Sequence, residues 1–117
     1  MKKPPVEKKK RFHMLQPVKD FMREQSGDAK QELNSIIWKL EVEGALTMPF
    51  GEKIAGDNLF AIRVIQAANL RVFYVYGVHD LVFGIHGYIK KTEQIPIHEL
   101  REAERMVKLL RKRGAIK

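Results

Sequence analysis

Between Leu59 and Ile89 the chain carries three apolar runs, LFAIRVIQ, LRVFYVYG and LVFGIHGYI, joined by very short connections. β-Branched and aromatic residues dominate them, which suits a pleated, half-buried surface. Ala67-Ala68-Asn69 offers one tight turn, and Gly77 to Asp80 a second. A parallel pair would need a crossover of about a dozen residues or more, so three successive strands here must form an antiparallel meander.

The flanking segments have to cover that sheet. RFHMLQ has the composition of a short strand. Pro17 fits the first turn of a helix, with Val18, Phe21 and Met22 on one side. After a break at Ser26-Gly27, Asp28 is a candidate N-cap with Gln31 three residues on. Leu33, Ile36, Ile37 and Leu40 then form an apolar stripe that Gly44 is placed to end. ALTMPFGEKIAGDN, residues 45–58, reads as a breaker-rich loop. Pro96 can open a last helix running to about Arg113, with Leu100, Ala103, Val107 and Leu110 at helical spacing. The order β-α-α-β-β-β-α predicts an α+β fold: a short N-terminal strand and a helical hairpin packed on an antiparallel sheet, with a C-terminal helix.

Net charge is +8, and it is unevenly placed. Residues 1–11 contribute +5 and residues 111–117 contribute +4, leaving −1 for the body. Two prolines and like charges predict a disordered basic tail over residues 1–11, followed by one domain over 12–117. Strong charge of one sign at both ends points to a polyanion or an acidic protein. The first eleven residues lack the apolar core of a secretory signal, and no apolar run is long enough to span a bilayer. With no cysteine in the chain, these features predict a cytoplasmic protein.

Chemistry concentrates in the third run and beside it. By strand parity Leu81, Phe83, Ile85 and Ile89 share one face, while Val82, His86, Tyr88 and Lys90 share the other. Arg63 and Arg71 sit in mid-strand among apolar neighbours, and neither run contains an acid to pair with them. Guanidinium forks match phosphate oxygens, so arginines converging with Lys90 and Lys91 suggest a phosphate-binding surface. His13, His79, His86 and His98 show no metal-ligand spacing, and neither a nucleophile elbow nor a Gly-rich phosphate loop is present. No cofactor or metal is expected.

DNLFAIRVIQAANLRVFYVY, then LVFGIHGYIKKTEQIP, then HELREAERM together resemble the RelE/HigB superfamily of toxins from bacterial toxin–antitoxin pairs, most closely its phage-derived HigB-like branch. The resemblance implies a RelE-like fold and a small basic endoribonuclease, an mRNA interferase that in many members cuts mRNA on the ribosome. It also implies a cognate antitoxin, a small helix-turn-helix protein. By position Arg63 and Arg71 match the family's two strand arginines, Lys90 and Lys91 its lysine pair, and Tyr88 an aromatic position. Lys53 falls in a loop where related toxins place basic residues. Ala61 departs from the pattern, since an acid usually stands two positions before the first arginine.

Such an enzyme needs no metal if the RNA's own 2′-OH attacks the adjacent phosphorus. Arg63 and Arg71 suit charge stabilisation, with Lys53 as a further substrate contact. Lys90 or Lys91 could share that task or move a proton. His86 suits proton transfer near neutral pH, and Tyr88 could stack on an unpaired base. The competing readings are a non-catalytic nucleic-acid-binding module and a degenerate toxin that only binds its antitoxin.

Overall fold

A computed structural model describes residues 7–117. Within it the helical hairpin forms where the apolar spacing places it. Helix α1 covers Gln16–Arg23 with Pro17 in its first turn, and α2 covers Gly27–Glu43. The N-cap of α2 is Ser26 rather than Asp28. The Ala29 amide donates to Ser26 Oγ at 3.1 Å, while Asp28 lies in the first turn, where a carboxylate meets the positive end of the helix dipole. Gly44 closes α2 in the left-handed conformation, φ 84°, with its amide on the Leu40 carbonyl at 2.7 Å.

Five strands form one sheet: β1 (Arg11–Met14), β2 (Gly51–Ala55), β3 (Leu59–Val64), β4 (Leu70–Tyr76) and β5 (Leu81–Ile89). Their spatial order is β1-β5-β4-β3-β2. Strands β3 to β5 form the expected antiparallel meander, β2 extends it antiparallel beyond β3, and β1 adds a parallel edge against β5. Strand β2 lies inside the segment that reads as a loop. GEKIA has one large apolar residue, so its order comes from pairing with β3 rather than from its own pattern.

The sheet is covered on both faces, giving an α+β sandwich with two cores. Val18, Met22, Leu33, Ile36 and Leu40 of the hairpin pack on Ile62, Val64, Leu70, Val72, Tyr74 and Val82. On the opposite face α3 (Ile97–Lys112) contributes Ala103, Met106 and Leu110, against Ala61, Phe73, Val75, Phe83, Ile85 and Tyr88. Double coverage explains why β4 is buried along nearly its whole length. No helix among the described residues is long and apolar enough to cross a membrane.

The disordered tail expected over residues 1–11 lies outside the described residues as far as residue 6. The remainder is docked: the Lys9 and Lys10 amides donate to the Glu41 carbonyl at 2.9 and 3.0 Å, and β1 begins at Arg11.

Candidate functional site

A β-bulge decides which face of β5 carries the polar residues. Phe73 pairs with His86, but the next residue, Tyr74, pairs with Gly84, leaving Ile85 as the extra residue. Parity is therefore reset, and the expected partition of β5 is corrected. Phe83 and Ile85 share the α3 face with His86 and Tyr88, while Val82 and Gly84 face the hairpin.

On the α3 face Arg63 of β3 lies directly opposite Arg71 of β4, which in turn lies opposite Tyr88 of β5. The three form a row across the sheet near the start of α3. Arg71 is only 3% exposed. Its Nη1 donates to Asn69 Oδ1 at 3.2 Å and to the Leu70 carbonyl at 3.0 Å. Arg63 Nη1 donates to the Pro49 carbonyl at 3.0 Å. The Nε of each arginine is buried with no hydrogen-bond partner among the described residues. Burial lowers the Arg71 pKa, and the neighbouring Arg63 charge lowers it further, while Glu52 and Tyr88 act the other way.

Glu52 is the acid that neither arginine strand supplies. Its Oε1 lies 3.8 Å from Arg71 Nε. It comes from β2, which has no strong strand pattern, and its partner in the ladder is Ala61. A carboxylate thus stands beside the position where an acid was missing, delivered from the next strand.

Asn69 ties the row to the lysines. The Lys90 amide donates to the Asn69 carbonyl at 2.8 Å, and Asn69 Nδ2 donates to the Lys90 carbonyl at 2.9 Å. Arg71, Lys90 and Lys91 consequently line one shallow cleft of about 370 Å³ with Asn69, Thr92 and Glu93. Glu32 of α2 fixes the turn just before Asn69. Its carboxylate accepts from the amides of Ile65, Gln66 and Ala67 at 2.7 to 3.1 Å.

His86 lies one rung further along the same face. Its Nε2 is 3.0 Å from Oε1 of Glu99, on the first turn of α3, and its ring lies parallel to Phe73. Tyr88 stacks on the other side of this group, its ring centroid 5.4 Å from that of Phe73. At 3% exposure the Tyr88 ring is not open to a nucleic-acid base, so the stacking role expected for it is not available. Burial raises the Tyr88 pKa, opposed by Arg71 and reinforced by Glu52 and Glu99, and this keeps the phenol protonated. Lys53 does not join the site. It pairs with Phe60, whose ring stacks on Tyr74, so its side chain belongs to the hairpin face.

The structure thus gathers Arg63, Arg71, Tyr88, Lys90 and Lys91, with His86 adjacent, and leaves Lys53 behind. Glu52, Asn69, Glu99 and Glu32 complete the arrangement, and each acts across strands or elements. With this geometry in place, residues 20–108 match the family described as Phage derived protein Gp49-like (DUF891). The chain belongs to that family. It is associated with toxins of the RelE/HigB kind, so the fold is that of a toxin-like module. A search of curated proteins found no match.

Proposed function

We propose that this chain is the toxin of a toxin–antitoxin pair, a metal-independent mRNA endoribonuclease of the RelE/HigB superfamily and its phage-derived HigB-like branch. On this reading it works in the cytoplasm, on mRNA engaged by the ribosome, and a helix-turn-helix antitoxin neutralises it. The observation that carries the reading is the opposed pair Arg63 and Arg71, each with a buried Nε–H that lacks an acceptor. Two like charges held side by side raise the energy of the empty site and lower it when a phosphate arrives.

The reaction joins the RNA's 2′ oxygen to phosphorus and breaks the bond from phosphorus to the 5′ oxygen. The arginine pair neutralises the extra charge on the phosphoryl oxygens, with Lys90 and Lys91 at the rim. Tyr88 stays protonated beside Arg71 and offers an O–H donor. With Nε2 engaged by Glu99, His86 has Nδ1 left for a proton in transit. Glu52 places a carboxylate 3.8 Å from Arg71 Nε, which argues against a site decayed through Ala61 and hence against the degenerate-toxin reading.

The test is cleavage of a defined mRNA with and without ribosomes. Arg71→Ala should lower the cleavage rate by about 100-fold or more, the usual effect of removing one transition-state donor. Lys90→Ala should also lower it. Full activity in both variants would remove the site assignment, and activity abolished by EDTA would contradict the metal-free mechanism. Binding without cleavage, and no toxicity on expression, would favour the binding module.

A further inference from the structure

At the end of the sheet opposite the arginine row, two basic segments distant in sequence come together around one turn. Gly77 to Asp80 joins β4 to β5, and His79 and Asp80 both take left-handed conformations there. On one side the Arg11 amide donates to the Asp80 carbonyl at 2.9 Å, and Lys10 Nζ lies 3.4 Å from Asp80 Oδ1. On the other side the Val78 amide donates to the carbonyl of Ala115, just beyond α3, at 2.9 Å. Arg11 is in register with Leu81, whose side chain joins the α3 core, so Arg11 emerges on the same face as α3.

Arg11, Arg111, Lys112, Arg113 and Lys117 are all exposed there, and among the described residues none of their side chains pairs with an Asp or Glu, while Arg111 Nε donates to the Lys117 carbonyl oxygen at 3.2 Å. Lys8 and Lys10, by contrast, are matched to Glu41 and Asp80. The basic surface continues into a cleft of about 510 Å³ where Lys108, Arg111 and Lys117 face the β2–β3 turn, with Asp57 and Glu104 as its acids.

We infer that this far end is a second, non-catalytic surface for the phosphate backbone of single-stranded RNA, built jointly by Arg11 and the Arg111–Lys117 segment. It goes beyond the proposed cleavage site. β5 has nine residues, which at ~3.3 Å each places the two ends of the strand too far apart for a dinucleotide to span.

The distribution of apolar side chains favours RNA over an acidic protein. Met48, Phe50, Ile65, Ile89 and Ile97 are exposed at the arginine-row end and Trp38 on α2, over the opposite face of the sheet, whereas Leu109 is the one large hydrophobic that α3 exposes near the far end among the described residues. Protein interfaces centre on buried aromatic and apolar anchors, while nucleic-acid interfaces are polar and strongly positive. The family match, residues 20–108, also stops short of both contributing segments.

The experiment is fluorescence anisotropy of the full chain with a labelled, unstructured single-stranded RNA over a range of salt concentrations. The Arg11→Glu/Lys112→Glu/Arg113→Glu triple variant should bind about tenfold more weakly or worse, with the salt slope reduced by about 0.7 for each phosphate no longer neutralised. Wild-type affinity and slope in the triple variant would overturn the inference. So would unchanged RNA binding together with lost binding to polyglutamate, which would assign the surface to an acidic protein. If Arg71→Ala cleaves normally while the triple variant loses RNA affinity, the cleavage site is wrong and the second surface stands.

Discussion

Arg71 is placed for something other than stability. A guanidinium at 3% exposure, facing a second arginine and with Glu52 no closer than 3.8 Å, is only partly compensated. Replacing such a buried charge with an apolar side chain of similar length is often stabilising. Arg71→Met should therefore raise unfolding stability by about 1 kcal/mol, read by urea denaturation, while cleavage is lost. A fall in stability would mean that the bonds to Asn69 and the Leu70 carbonyl outweigh the repulsion. Glu32 shows the opposite logic. Burial pushes its pKa up, yet the amides of Ala67, Gln66 and Ile65 together hold it below the ordinary value of 4.5. A depressed carboxylate contributes stability above its unfolded pKa and loses it as pH falls through the folded one. Glu32→Gln should accordingly flatten the loss of stability below about pH 4.5. It should cost about 1 kcal/mol at neutral pH, since amides this near water can rehydrate.

At the scale of elements, the bulge in β5 and the glycines around it set the geometry. A Cβ on Gly87 would come within 2.4 Å of the Phe21 ring of α1, so this glycine lets the helix lie against the strand that carries Tyr88. Gly87→Ala should destabilise the fold by about 1–3 kcal/mol, measured as a lower thermal midpoint, through overpacking between α1 and β5. Phe21→Leu should recover part of that loss in the double variant, and no recovery would place the strain elsewhere. Helix α3 has a second task besides covering Phe73 and Phe83, because its first turn delivers Glu99 to His86. If Glu99 orients His86, Glu99→Gln and His86→Gln should lower cleavage non-additively and change the shape of its pH profile. Additive losses with an unchanged profile would reduce Glu99 to a structural role.

For the whole molecule, a sheet sealed on both faces leaves its ends as the places where charge meets solvent. The arginine row and its lysines occupy one end, and the basic segments beside β1 and α3 occupy the other. The same sealing buries tyrosines. Desolvation raises Tyr74, Tyr76 and Tyr88 above the ordinary 10.0, so the folded state favours their protonated forms. A raised folded pKa gives stability that is complete below the unfolded value and lost as pH climbs through the folded one. The protein should thus hold its thermal midpoint up to about pH 9 and lose it steeply above about pH 10, where unfolded tyrosines ionise. A flat midpoint through pH 11 would contradict the burial of these rings.

Local pattern was enough for the elements whose burial shows in their own spacing: the α2 stripe ended by Gly44, the β3–β5 meander, and α3 after Pro96. It also singled out Arg63 and Arg71, because charges inside apolar strands stand out against their neighbours, and the fold sets the two opposite each other; Lys90 and Lys91 stood out mainly through the family resemblance. Tertiary structure decided the rest. Strand β2 exists because β3 offers it a ladder, and GEKIA alone does not announce it. Parity along β5 could not foresee that Ile85 would bulge, and that one extra residue is what turns His86 and Tyr88 toward Arg71. Glu52, Asn69, Glu99 and Glu32 reach their partners across strands or between layers. A linear sequence records which groups are present, whereas pairing register and layer packing decide which of them meet.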